Sequence, residues 1–187
     1  MIRRVLAMVL VIMAVVAATS ACDDNGWKQT APFAPSLRPA FGARVTDDKL
    51  RIWTGSPCVR TTRFDLTFDA NQSDRAQLTL TAPGGVDGAG VEVEYLVLGG
   101  PYPGFDVTRA LPAGFDWRKA ETARIVINGP LAAWGSTTNI AEVVKGSAEH
   151  PEDTYWFQDV GWLNPAQVAE QDGKTFLATC TPDPTKK

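Results

Sequence analysis

The 187-residue chain has one histidine and three cysteines, and this scarcity argues against several kinds of site. With His150 alone and no C-x-x-C spacing, a zinc or redox centre is not expected. Residues 69–74 match only the first half of an EF-hand calcium loop, so a turn is expected there instead. Each Gly-Gly pair lies beside a proline, which is typical of turns and not of phosphate-binding loops. The sequence therefore predicts no metal and no cofactor.

Basic residues are too few to indicate a nucleic-acid partner. Lys and Arg number 18 against 21 Asp and Glu, which gives a formal net charge of −3. Proteins that bind DNA or RNA carry a clustered basic footprint, because they must neutralise phosphates. The acidic balance also predicts no general attraction to anionic lipid headgroups.

Long apolar runs are absent as well. Behind Arg3 and Arg4, the apolar stretch Val5–Ala18 has about 14 residues, or ~21 Å as a helix. A stable transmembrane helix needs about 20 residues to cross a ~30 Å hydrocarbon core. The stretch is followed by the small residues 19–21 and then by Cys22, a pattern typical of a cleaved leader.

This N-terminal segment resembles a bacterial lipoprotein signal peptide with its lipobox, in the style of small actinobacterial envelope lipoproteins. The resemblance implies cleavage before Cys22, a diacylglycerol on its thiol, and often a third acyl chain such as palmitate on the new amine. It places the protein outside the cytoplasm, attached to the cell membrane through lipid on Cys22. Thr19 stands where the family usually has Leu, so plain secretion and an uncleaved anchor are the alternatives.

Lipid on Cys22 would leave Cys58 and Cys180, which would pair as a disulfide outside the cytoplasm. The chain-entropy model gives roughly 4–5 kcal/mol for closing so long a loop. A redox or metal-binding thiol pair is the alternative, which the absent C-x-x-C spacing disfavours.

The chain divides into three predicted segments. Residues 1–21 form the signal peptide, residues 22–42 a Pro/Ala-rich tether, and residues 43–187 a single β-rich domain. Prolines in the tether favour extended polyproline II, so it could reach ~60 Å at ~3.1 Å per residue.

The domain has the period-two hydrophobic pattern of β-strands. Phe64, Leu66 and Phe68 alternate with polar residues, and similar runs occur at 78–80, 91–98, 125–127, 155–157 and 176–178. Asn139 and the Asn164-Pro165 pair predict the starts of two short helices that end near glycines 146 and 173. The expected fold is mainly β: an antiparallel β-sandwich or open barrel with two short helices.

The densest polar cluster, residues 147–156, offers two possible catalytic arrangements. His150 and Ser147 could pair as base and nucleophile, but the chain has no G-x-S-x-G elbow. Glu149, Glu152 and Asp153 could supply the acid and base for sugar hydrolysis. A solvated loop before a strand accounts for the same residues and is the favoured interpretation.

Aromatic residues give the remaining site hypothesis, a ligand surface formed by Trp134, His150, Tyr155 and Trp156 that could stack on a sugar or anchor a partner. Ordinary core packing is the alternative, and it is expected for Trp53, near the disulfide. The predicted function is a lipid-anchored, non-enzymatic envelope module that binds an envelope protein, a glycan or a small ligand. A hydrolase acting on cell-wall glycan and a structural spacer are the alternatives.

Overall fold

A computed structural model describes residues 34–70, 72–129 and 133–186. Within these ranges the chain forms twelve strands and two α-helices. The strands are β1 (Pro39–Ala40), β2 (Gly42–Thr46), β3 (Lys49–Thr61), β4 (Arg63–Phe68), β5 (Ala76–Thr81), β6 (Val91–Val97), β7 (Asp106–Arg109), β8 (Thr122–Asn128), β9 (Ser136–Asn139), β10 (Tyr155–Phe157), β11 (Gly161–Leu163) and β12 (Leu177–Ala178). The α-helices are α1 (Ile140–Ser147) and α2 (Pro165–Gln171).

Ten of these strands form two antiparallel sheets, each of five strands. The first sheet has the order β11-β10-β2-β3-β6, and the second has the order β7-β5-β4-β8-β9. The remaining strands, β1 and β12, pair in parallel. The sheets do not close into a barrel, so the architecture is consistent with the sandwich alternative of the mainly-β prediction.

The main core lies between the two sheets. Leu50 and Ile52 of the first sheet and Leu66, Leu80 and Ile125 of the second belong to one cluster of buried side chains. Helix α1 adds Ile140 and Val143 to this cluster. The alternation seen in the sequence therefore corresponds to inward-facing positions on both sheets.

A second hydrophobic cluster covers the opposite face of the first sheet. Trp53 follows the inward-facing Ile52 and belongs to this outer cluster together with Phe157. The other members are Ala40, Leu163, Val168, Phe176 and Ala178. The first sheet is thus covered on its inner face and over part of its outer face, and Trp53 lies in a different cluster from Cys58 and Cys180.

Both predicted helices are present. The Asn139 side chain accepts a hydrogen bond from the Glu142 amide at the start of α1, and Asn164 and Gln167 form a capping box at α2. Gly146, however, lies inside α1 and does not end it. A Cβ there would come within 2.5 Å of the Trp162 ring, so close packing, and not helix termination, accounts for this glycine.

Cys58 and Cys180 lie at disulfide distance, with their Cα atoms 5.3 Å apart, as predicted.

Cys22 and the predicted signal peptide lie outside the described residues. The compact unit spans Pro35–Lys187, so residues 35–42, which we assigned to the tether, belong to it. Phe41 is buried there, whereas residues 22–33 of the predicted tether lie outside the described residues. No helix in the described ranges is long and apolar enough to span a membrane.

Candidate functional site

The structure separates the four residues of the predicted ligand surface. Tyr155 contacts Trp53 on the outer face of the first sheet, whereas Trp156 packs against the main core. His150 stacks on Trp162 at 4.5 Å, and Trp162 lies 6.0 Å from Trp156, measured between ring centroids. His150 and Trp156 are therefore joined through Trp162, while Tyr155 points to the other side of the sheet.

Trp134 lies apart from both groups. Its amide donates to the Thr179 carbonyl, and Lys186 approaches its ring face at 5.4 Å. Among the described residues, no ring contact joins Trp134 to His150, Tyr155 or Trp156. The four residues do not form one surface.

The polar loop 147–154 is organised by a residue that the sequence analysis did not identify. Arg44 is 4% exposed, and its guanidinium donates to the carbonyls of Ser147, His150, Pro151 and Thr154 at 2.7–3.2 Å. A guanidinium has five donors and can hold several carbonyls at once, which also suits the negative end of helix α1. The position of Arg44 in a strand of alternating residues gave no sequence signal for this role.

Ser147 and His150 are both engaged with the main chain. The Ser147 hydroxyl donates to the Val143 carbonyl at 2.6 Å and accepts from the Val45 amide at 2.9 Å. His150 Nδ1 lies 2.9 Å from the Gly146 carbonyl. Because both side chains fix the end of α1, this geometry does not present the hydroxyl to the imidazole as nucleophile to base.

Asp69, the first residue of the partial EF-hand match, has a structural role too. Asp69 Oδ1 accepts hydrogen bonds from the amides of Glu121 and Thr122, both at 2.9 Å, and so joins the turn after β4 to β8. In the described part of the chain, no group of three or more His, Cys, Asp or Glu side chains is arranged to hold a metal ion.

Among the described residues, the most exposed aromatic ring is that of Tyr95, on the outer face of the first sheet. Tyr95 is 52% exposed, and its ring stacks nearly parallel to that of the buried Trp53, with centroids 5.8 Å apart. Tyr155 contacts both rings at 5.3 and 6.3 Å. Trp53 Nε1 donates to Glu94 Oε1 at 3.1 Å. We call Trp53, Glu94, Tyr95 and Tyr155 the aromatic platform.

A β-bulge brings two neighbouring residues of β6 to this platform. The register between β3 and β6 shifts between Trp53 and Cys58, so the strict alternation of sides is broken there. Glu94 and Tyr95 consequently both contact Trp53. Gly55, at φ +82°, occupies the irregular stretch, where a Cβ would come within 2.8 Å of the Ala178 Cβ. The sequence shows the alternation but not this interruption.

The platform combines apolar ring faces with fixed polar groups. Partial burial raises the pKa of Tyr95, and the neighbouring Glu94 carboxylate raises it further. Partial burial also raises the pKa of Tyr155. Both hydroxyls are therefore protonated at neutral pH and can donate hydrogen bonds, while Glu94 supplies an acceptor.

One concavity lies beside the platform strand β6, and a second lies by the turn that follows this strand. A cleft of about 130 Å³ lies directly next to Tyr95; Glu92, Glu94, Tyr102 and Phe105 are among the residues that line it. A wider opening of about 510 Å³ is lined mainly by apolar residues: Leu78, Leu98, Tyr102, Val107, Leu111, Phe115 and Trp117, with Gly99, Gly100 and Ala110. The first concavity extends the platform with carboxylates and rings.

A scan against models of known protein families, a search of curated proteins and a search of solved structures each found nothing that matches this chain.

Proposed function

We propose that the protein is a lipid-anchored envelope module that binds glycan through the aromatic platform. The observation that carries the proposal is the half-exposed Tyr95 ring, supported from behind by Trp53 and flanked by the Glu94 carboxylate. A pyranose ring has an apolar C–H face and hydroxyl groups around its edge. A flat aromatic face with an acceptor beside it complements both features.

Pre-organisation favours this surface for binding. Trp53 is held by Tyr95, Tyr155 and Phe157 around its ring and by Glu94 at its N–H, so the platform is ordered before a ligand arrives. A ligand then loses less binding free energy to side-chain ordering. The adjacent cleft gives a second contact region for a neighbouring sugar unit.

The anchor is the other part of the proposal, and it depends on the lipobox resemblance. Lipid on Cys22 would hold the module at the outer side of the membrane, where cell-wall glycan is present. A Cys22→Ser chain should appear in the soluble fraction of lysed cells while the wild type sediments with membranes. A Cys22→Ser chain that still sediments would contradict lipid anchoring.

To test glycan binding, the full mature chain is mixed with purified, insoluble cell-wall glycan. The measurement is the amount of protein that the glycan removes from solution. Tyr95→Ala and Glu94→Gln should each weaken binding about ten-fold, a loss of about 1.4 kcal/mol. Val107→Ala is the matched control, because Val107 is 49% exposed on the other sheet. Wild-type affinity in Tyr95→Ala, with thermal melting unchanged, would contradict the proposal.

The same assay addresses the alternative of a cell-wall hydrolase. Glu149, Glu152 and Asp153 are exposed on the loop that Arg44 organises. If the wild type releases soluble sugar and Glu149→Gln or Glu152→Gln abolishes this release, the protein is a hydrolase and the binding proposal is wrong. Depletion without sugar release would favour the binding module.

A further inference from the structure

The outer face of the second sheet carries a hydrogen-bonded network around Asp65. Arg63 donates to both carboxylate oxygens, at 2.7 and 3.0 Å, while the Thr79 hydroxyl and Gln77 Nε2 donate to Oδ1 at 2.7 and 2.9 Å. Asp65 and Gln77 are each 8% exposed. These donors fix the Gln77 amide so that its oxygen points away from Asp65.

Two arginines converge on that amide oxygen. Arg75 Nη2 donates to Gln77 Oε1 at 2.7 Å, and Arg109 Nη1 donates to the same atom at 3.2 Å. The two nitrogens are therefore no more than about 6 Å apart, close enough for their charges to repel each other. Gln77 is neutral, so it holds the two guanidiniums together without neutralising them.

No carboxylate in the described part of the chain forms an ion pair with either arginine of this pair. The ion pairs there involve Arg38, Arg51, Arg63, Arg118 and Lys119, but neither Arg75 nor Arg109. Both side chains are exposed. Each guanidinium donates one hydrogen bond to Gln77 and keeps its other N–H groups for a ligand.

We infer that Arg75 and Arg109, aligned by Gln77, form a binding site for a phosphomonoester-type anion. Such a group carries about −1.5 to −2 charges at pH 7, which matches two guanidiniums, and its oxygens accept from their planar N–H forks. The site lies on the sheet opposite the aromatic platform, so it is independent of glycan binding there. The same chemistry is offered by free phosphate and by a monoester headgroup such as that of phosphatidic acid.

The test is an NMR titration of the full mature chain, carrying Cys22→Ser for solubility, with inorganic phosphate. Amide resonances of β5 and β7 should shift saturably, and Arg75→Gln and Arg109→Gln should each weaken binding about ten-fold. Arg124→Gln is the matched control. Arg124 is exposed on β8 and paired with Thr137, whereas Arg109 pairs with Thr79 at the other side of the sheet.

The outcomes separate a built site from diffuse charge. An equal loss in Arg124→Gln, or no saturable shift below about 10 mM phosphate, would overturn the proposal. Thermal melting checks that each variant is folded. A second arm adds phosphatidylcholine vesicles with and without phosphatidic acid. Phosphate binding with no vesicle binding assigns a soluble ligand, and vesicle binding that free phosphate displaces assigns the headgroup.

Discussion

The two outer faces of the sandwich follow the same alternation rule but differ in chemistry. On the first sheet, the outward positions include Trp53 and Phe157, and α2 and β12 cover most of them. On the second sheet they carry Asp65, Gln77 and Thr79, with arginines around them. The same strand pattern thus produces a hydrophobic cluster on one side and a polar network on the other.

This difference shows that local charge is not given by composition. The whole chain is acidic, which predicted no nucleic-acid partner and no general attraction to anionic lipid headgroups. The fold nevertheless brings Arg75 and Arg109 to one neutral acceptor on an exposed face. Net charge describes the average field of a protein, whereas a binding site depends on a few side chains at hydrogen-bond distance.

The largest expected effect comes from removing the disulfide that fastens the C-terminal segment beside the first sheet. Cys58 and Cys180 are 122 residues apart in sequence. The double variant Cys58→Ala/Cys180→Ala should lose roughly 4–5 kcal/mol of unfolding free energy in the chain-entropy model, measured by urea denaturation. Amide exchange should rise first in β1 and β12, while β4 and β5 remain protected. An equal rise in both sheets would show that the two faces are not independently stabilised.

The next effect compares one truncation on each face. Phe176 is fully buried in the outer cluster and packs against Phe157 at 5.3 Å between ring centroids. Phe176→Ala should cost about 3–5 kcal/mol of unfolding free energy, because a cavity replaces the ring. Val107→Ala on the second sheet, where the side chain is exposed, should cost about 0.5 kcal/mol or less. Similar losses of unfolding free energy in the two variants would contradict the view that only the first sheet is covered on its outer face.

The local structure was largely predictable from the sequence. Alternation located β4, β5 and β8, and the asparagine caps located both helices, because these signals depend on near neighbours. The triplet Gly-Phe-Asp occurs at residues 104–106 and 114–116, and Gly104 and Gly114 both adopt positive φ in turns of the same hydrogen-bond pattern. Strands β1, β7, β9 and β11 were missed, since they are short and without sustained alternation, and β1 lies in the stretch predicted as tether.

The candidate sites were less predictable, because they depend on contacts between distant residues. The outer cluster requires β1 to pair with β12, and the aromatic platform requires a bulge between β3 and β6. Tyr155 and Trp156 were predicted to share one surface, but as neighbours in a strand they point to opposite faces of the sheet. Which of these two side chains contacts Tyr95 depends on the register between strands, which adjacency in sequence does not determine.

The smallest expected effect concerns the polar face and its response to acid. Burial alone would raise the pKa of Asp65, but hydrogen bonds from Arg63, Thr79 and Gln77 outweigh burial and lower it. A lowered pKa in the folded state means that Asp65 stabilises the fold above its unfolded pKa of about 3.9 and loses this contribution as the pH falls through its lower, folded value. Asp65→Asn should therefore cost about 1 kcal/mol at pH 7, as expected for a partly exposed ion pair.

The cost of Asp65→Asn should shrink as the pH falls below about 4, because the unfolded wild type then takes up a proton at Asp65 that the folded protein binds only at lower pH. Urea denaturation of both proteins between neutral and acidic pH measures the difference. Asp106→Asn, at an exposed position of edge strand β7, is the control and should change stability by about 0.5 kcal/mol or less at either pH. A difference between Asp65→Asn and wild type that is constant with pH would mean that Asp65 acts through packing alone. The outer face of the second sheet would then be stabilised by packing, like the outer face of the first sheet, and not by its charges.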